Sequence, residues 1–196
     1  MRKLAPGDLL DLPAYEAVRE ERLASVIELK KRRRVQLGAM VTLVFENRET
    51  LRSQVQEMMR AERLVREDAI RAELDVYNDL IPGSDELSAT LFIEVDDPGR
   101  VREVLDRFIG LDEHGTLEMR FDAGVTVPGQ FEGGHSREDR ISAVHFVRFR
   151  LGETAAAAFR SGNGRVALLV RHPNYQASAE IGGEIRRALA EDLHGE

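Results

Sequence analysis

The sequence predicts an α+β fold in which a ferredoxin-like split βαβ sheet of about five strands is covered by two long N-terminal helices and a C-terminal helix. Three observations support this prediction. The N-terminal part has helical periodicity, an isolated segment at 39–46 alternates like a strand, and residues 86–171 follow the order strand, helix, strand, strand, helix, strand. The 196 residues fit a single domain, 1–196, with a mainly helical part at 1–84 and a sheet part at 85–196.

Two long helices are predicted in the N-terminal part. Asp11 can cap the first helix, which is expected to run from about 13 to 34 and to end in a basic run. Asn47 can cap the second, which is expected over about 48–80. The apolar stripe of this second helix changes face along its length, which indicates either a bend near residues 66–68 or different packing partners for the two halves.

The sheet part alternates short strands and short helices. Helices are predicted after Asp97 and at 153–160, and Asn174 is expected to cap the last helix. Residues 122–139 are rich in glycine and polar residues, so they are expected to form a mobile loop. Apolar alternation or continuous apolar runs predict the strands at 87–95, 116–121, 141–151 and 166–170.

Composition excludes several classes of function. The chain has 42% hydrophobic and 32% charged residues, a net charge of −7 and no cysteine. Cysteine-based catalysis, cysteine metal sites and disulfides are therefore excluded. Nucleic acid is an improbable partner for an acidic chain, and the basic run at 30–34 is most simply a solvated helix end. With neither a signal peptide nor an apolar run that could span a membrane, the protein is expected to be cytoplasmic.

Two charged residues interrupt the apolar stripes of the predicted long helices. Arg22 lies on the stripe of the first helix and Glu62 on the stripe of the second. A buried charge needs a partner, so the two helices could pack together through an Arg22–Glu62 ion pair. Alternatively, each side chain extends to solvent at the edge of its helix.

Other polar residues are candidates for a site, although none has a recognisable catalytic pattern. Glu57, Arg60 and Glu62 lie on one helix, but the histidine of a di-iron Glu-x-x-His motif is missing. His172 follows the most apolar strand and is the best candidate for a functional histidine, but the simpler interpretation is that it orders a turn by hydrogen bonding. The sequence predicts no metal site and no cofactor, and the catalytic residues stay unknown.

Several segments together resemble a known bacterial family. They include the Lys-Arg-Arg-Arg end of the first helix and the segments 44–48, 56–62, 77–83, 87–94 and 172–175. On these segments the chain resembles the domain-of-unknown-function family numbered 3501 along nearly its whole length. The resemblance makes Glu57, Arg60, Glu62, Tyr77, Asn78 and His172 matched family positions.

The same resemblance implies a role beside redox proteins, because members of the family are often encoded next to rubrerythrin-like proteins and iron–sulfur oxidoreductases. The first hypothesis is therefore a non-enzymatic accessory protein that binds such a redox protein through its long helices or basic helix end. The alternative is a metal- or small-molecule-binding enzyme with a site between the N-terminal helices and the sheet. A homodimer is compatible with either, and the sequence alone does not decide whether the protein is an enzyme.

Overall fold

The structure, a computed structural model, describes residues 1–122, 124–133 and 140–193. Its helices are α1 (Leu12–Lys31), α2 (Arg48–Glu62), α3 (Glu67–Asn78), α4 (Val101–Asp106), α5 (Gly152–Arg160) and α6 (Gly183–Asp192). Its strands are β1 (Arg34–Leu37), β2 (Val41–Glu46), β3 (Glu86–Ile93), β4 (Leu117–Phe121), β5 (Thr126–Phe131), β6 (Val144–Arg150), β7 (Val166–His172) and β8 (Tyr175–Glu180). No helix in the described part of the chain is long and apolar enough to cross a bilayer.

The eight strands form one antiparallel sheet that curls into a nearly closed barrel. The strand order is β1-β2-β3-β6-β5-β4-β7-β8. The first and last strands approach each other, and the hydroxyl of Tyr175 on β8 joins them. It donates a hydrogen bond to the carbonyl of Leu37 and accepts one from the amide of Met40, at 3.1 Å. One side chain thus fastens the seam of the barrel.

The predicted five-strand, ferredoxin-like split βαβ sheet is wrong, because three strands escape the sequence patterns. β1 has only four residues and directly follows the basic run. Apart from Tyr175 at its start, β8 presents only the small residues Ala177 and Ala179 toward the core. It occupies the segment in which Asn174 was expected to cap a helix, and the last helix begins only at Gly183.

The third missed strand, β5, lies within the segment predicted to be a loop. Pro128 and Gly129 indicated a break, but both lie in the strand. A Cβ atom on Gly129 would approach the side chains of Leu117 and Val147 to 3.0 and 3.1 Å. The glycine therefore makes room for large neighbours across the barrel. The rest of the predicted loop lies partly outside the described residues.

The barrel interior is filled with apolar side chains, and helices close both ends. α4 and the turn after it cover one end, where Phe108 packs against His172 and Tyr175. α5 and α6 cover the other end. There, Arg186 donates hydrogen bonds to main-chain carbonyls at the end of α5 and in the turn that follows it, which satisfies acceptors left free by the helix.

The remaining helices form a layer on the outside of the barrel. This helical layer consists of α1, α2, α3 and the N-terminal segment 1–10, and it has its own apolar cluster, which Phe146 of β6 contacts. The single helix predicted over 48–80 is divided into α2 and α3 by residues 63–66, close to the predicted bend. Arg63 adopts a left-handed conformation (φ 54°) that ends α2. The buried members of the cluster are Leu4, Leu51, Val55, Met59, Leu74, Leu80 and Ile81.

Candidate functional site

The contact between α1 and α2 is built around one carboxylate. Glu57 of α2 accepts a hydrogen bond from the hydroxyl of Tyr15, at 2.7 Å, and two from the guanidinium of Arg19, at 2.8 Å each. Tyr15 and Arg19 lie one turn apart on α1 and therefore point to the same side. One turn further along α2, Arg60 binds Glu16 at 2.6 Å. These contacts show that the two helices run antiparallel.

Near neutral pH the surroundings of this junction stabilise the ionised carboxylate of Glu57 and the neutral hydroxyl of Tyr15. The hydrogen bond from Arg19 lowers the pKa of Glu57, with a smaller contribution from Tyr15. Burial raises the pKa of Tyr15 to about 12, and the hydrogen bond to Glu57 adds to this effect. Glu57 is therefore an anchoring carboxylate and Tyr15 a hydrogen-bond donor. A general base would need a pKa near the working pH.

Arg22 and Glu62 lie at different positions along the axis of the α1–α2 pair. They are the two charged residues predicted on the apolar stripes. Arg22 lines a cleft that Ser53 also lines, whereas Glu62 is the last residue of α2. Nine residues of helix separate Ser53 from Glu62, a rise of roughly 13 Å. Among the described residues, Arg22 and Glu62 form no ion pair with each other. The helices are joined instead by the ion pairs Arg19–Glu57 and Arg60–Glu16.

Glu62 and Tyr77 form a separate group at the junction of α2 and α3. Burial raises the pKa of Tyr77, and the nearby carboxylates of Glu73 and Glu62 contribute to the shift. Burial also raises the pKa of Glu73, again with a contribution from Glu62. No group of three or more histidine, aspartate or glutamate side chains in the described part of the chain is arranged to hold a metal ion.

Asn78 holds the N-terminal segment in place. Its side-chain oxygen accepts a hydrogen bond from the amide of Leu4, at 2.7 Å, and its side-chain nitrogen donates one to the carbonyl of the same residue, at 2.9 Å. Gln56 binds the amide and carbonyl of Leu10 in the same way, at 2.9 Å each. We call these two contacts the amide clamps. Gln56 was not predicted from the sequence, because it lies about 100° around the helix from Val55 and so off the predicted apolar stripe.

His172 lies in the barrel, apart from the helical layer. It is buried at the end of β7, and its Nδ1 accepts a hydrogen bond from the amide of Asn174, at 3.2 Å. The proton therefore resides on Nε2, which donates to the carbonyl of Ile109 at 2.9 Å. Both ring nitrogens thus order main-chain turns, and His172 does not join Glu57 and Arg60 in one site.

The basic run at the end of α1 is divided between buried and exposed positions. Arg33 is only 2% exposed, and it forms an ion pair with Asp192 and a hydrogen bond to the carbonyl of Phe45. Arg34 pairs with Glu94 on the surface. The cations that project from the end of the helix are Lys30, Lys31 and Arg32.

Comparison with known proteins confirms the resemblance but does not add a function. A comparison with curated proteins finds no match. A crystal structure of a novel protein of unknown function from Burkholderia pseudomallei K96243 is 36% identical in sequence, with a TM-score of 0.89, over 98% of this chain and 100% of that chain. The family model described as "Protein of unknown function (DUF3501)" matches residues 3–193. The chain therefore belongs to the DUF3501 family.

Proposed function

We propose that this protein is a non-enzymatic accessory protein that binds the acidic surface of another protein through the outer side of α1. The observation that supports this proposal is the shallow attachment of α1. Of the twenty residues of α1, only Tyr15 is buried. The helix packs against α2. A helix of this length that leaves most of its surface uncovered is suited to binding a partner.

The end of α1 combines an apolar side chain with free positive charge. Ile27 is 56% exposed. Lys30 and Lys31 lie one turn further along, on the same side of the helix, and Arg32 follows at its end. Within the part of the chain that the structure describes, Lys30 and Arg32 have no acidic partner. We call these four residues the α1 patch.

The α1 patch has the composition expected of a small protein interface. An exposed aliphatic residue can enter an apolar pocket, and surrounding cations steer an acidic partner toward it. The same cations are poorly suited to nucleic acid, because the chain as a whole carries a net charge of −7. Charge complementarity therefore favours an acidic protein surface.

The family resemblance supports a cytoplasmic redox protein as the partner, of the rubrerythrin-like or iron–sulfur oxidoreductase class. The chain has no cysteine, so an all-cysteine iron–sulfur cluster would belong to the partner. The alternative of a metal- or small-molecule-binding enzyme between the helices and the sheet has less support. Glu57 and Arg60 are engaged in holding α1, and His172 lies at an end of the barrel.

Isothermal titration calorimetry with purified rubrerythrin-like and iron–sulfur oxidoreductase proteins from the same bacterium tests the proposal. One of them should bind the full chain, with an affinity that falls as salt is added. Ile27→Glu and the double variant Lys30→Glu/Arg32→Glu should each weaken binding at least about tenfold, in line with the loss of an interface anchor or its steering charge.

Val76→Glu is the matched control, because Val76 is 63% exposed on α3 and lies outside the α1 patch. It should leave the dissociation constant within about twofold of the unmodified protein. Equal losses for Ile27→Glu and Val76→Glu would contradict the assignment of the surface. Absence of binding to every redox protein tested would contradict the class of partner.

A further inference from the structure

A cleft in the helical layer has the features of a ligand site. It lies between residues 7–10 of the N-terminal segment, α1 and α2, and its volume is about 100 Å³. Arg22 lines it from α1, and Ser53 lines it from α2. We propose that this cleft binds a short aliphatic monocarboxylate, with Arg22 as the residue that binds the carboxylate. The proposal is independent of the α1 patch.

Charge is the first argument for an anionic ligand. Asp8 on the cleft wall already binds Arg2 and Arg48, each at 2.7 Å. Glu49 binds Arg52 at 2.5 Å. The two acids are thus matched by three arginines, which leaves an excess of positive charge around the cleft, although the chain as a whole is acidic.

Arg22 adds to this excess and is available to a ligand. Its side chain is exposed to solvent at the mouth of the cleft. Among the residues that the structure describes, it has no ion-pair or hydrogen-bond partner. A guanidinium can bind a carboxylate through two parallel hydrogen bonds, which is the geometry that an unpaired arginine offers.

The rest of the lining selects an aliphatic group. Leu9, Leu10 and Val26 line the cleft together with Tyr15. Engineered apolar cavities of about 150 Å³ accept benzene, so the smaller cleft suits a ligand of about four to six non-hydrogen atoms. Butyrate has this size, with an anionic head for Arg22 and an apolar tail for the leucines.

The walls of the cleft are held in place by contacts within the protein. Its wall at Leu10 is held by the amide clamp from Gln56, and its wall at Asp8 by two arginines. A ligand would therefore not have to order the N-terminal segment, which lowers the entropic cost of binding.

Titration of the isotopically labelled full chain with sodium butyrate, followed by amide NMR shifts, tests the proposal. Saturable shifts should appear at residues 7–10 and around Arg22, with a dissociation constant in the millimolar range that is usual for so small a ligand. Acetate, which lacks the tail, and butylamine, which reverses the charge, should each bind at least about tenfold more weakly. Inorganic phosphate should not displace butyrate, because it cannot use the apolar wall.

Arg22→Gln should weaken butyrate binding at least about tenfold, whereas Arg187→Gln, a change at an exposed arginine on α6, should have no effect. Ile27→Glu should also bind butyrate normally, which separates this site from the α1 patch. Unsaturable shifts up to high butyrate concentration, equal binding of butyrate and acetate, or full binding by Arg22→Gln would each overturn the proposal.

Discussion

The barrel and the helical layer are held together by different forces. Among the described residues, 29 buried apolar side chains form the cluster in and around the barrel, whereas seven form the cluster of the helical layer. Charged side chains are rare inside the barrel and frequent between α1 and α2, where they bind one another. Because burial of apolar area is the main source of stability, the barrel is the stable scaffold and the layer is the more adaptable surface.

Both proposed binding surfaces lie in the helical layer. The cleft and the α1 patch are built from α1, α2 and the N-terminal segment, and none of their residues is needed to close the barrel. Changes there should alter binding with little effect on the barrel. The converse should hold for residues that plug the barrel ends. Three variants, in decreasing order of expected effect, test this division.

The largest effect is expected at the end of the barrel that α6 covers. Arg33→Met removes the charge that is paired with buried Asp192 and should lower the free energy of unfolding by about 3–5 kcal/mol. Burial already raises the pKa of Asp192, so this carboxyl should take up a proton when Arg33 is lost. Urea unfolding monitored by circular dichroism measures the change.

The double variant Arg33→Met/Asp192→Leu is the control for this prediction. It replaces the ion pair with apolar side chains, which is often neutral in free energy, and should recover most of the lost stability. It remains informative if the single variant does not fold. A double variant as unstable as the single one would show that the ion pair is not what Arg33 contributes.

An intermediate effect is expected at the amide clamps. Asn78→Ala removes both hydrogen bonds to Leu4 and should cost about 1–3 kcal/mol, because the amide and carbonyl of Leu4 lose their partner. Hydrogen exchange should accelerate at the amide of Leu4 while the amides of β2 and β3 stay protected.

Gln56→Ala is the reciprocal control, since it should expose the amide of Leu10 and leave that of Leu4 protected. If either variant accelerated exchange throughout the barrel, the barrel and the layer would be one cooperative unit. That result would contradict the division between them.

The smallest effect is expected at the junction of α1 and α2, and it depends on pH. Arg19 lowers the pKa of Glu57 in the folded protein from the ordinary value of 4.5. The ionised carboxylate therefore stabilises the fold above pH 4.5, and this contribution is lost as the pH falls through the folded pKa. Glu57→Gln should reduce stability at neutral pH and make the loss of stability on acidification shallower.

Urea unfolding at a series of pH values between about 3 and 7 measures both changes, since the range spans the ordinary glutamate pKa. Tyr15→Phe, which removes one hydrogen bond to Glu57 but keeps Arg19, should retain most of the pH dependence. An unchanged acid profile in Glu57→Gln would show that other carboxylates determine it.

Local sequence signals predicted the helices better than the sheet. Asp11 caps α1 as expected, with its side chain bound to the amide of Ala14, because a cap depends on neighbours three residues away. β5 and β8 have weak local signals and are strands because their neighbours pair with them. Pairing between strands distant in sequence overrides such propensities.

The contacts of the candidate residues could not be predicted for the same reason. Glu57, Arg60 and Glu62 were predicted as a polar group on one helix, but their partners depend on the level at which α1 crosses α2, which the sequence does not encode locally. Arg22 was a predicted candidate, but the cleft that it lines was not predicted, because one wall of the cleft exists only when the N-terminal segment folds back onto Gln56.

The hydroxyl of Tyr175 joins β8 to the end of β1 through two hydrogen bonds, a contact that we call the Tyr175 latch. The latch affects how the protein behaves in concentrated solution. β1 and β8 each have one edge without a strand partner in the described sheet, and an exposed edge is a template for aggregation with another chain. The latch turns the two edges toward each other and so shields them. Gly38 protects this arrangement, because its φ of +68° suits glycine and a Cβ atom there would lie 2.5 Å from the Tyr175 hydroxyl. The turn at Gly38 is therefore a poor place for an insertion or an affinity tag.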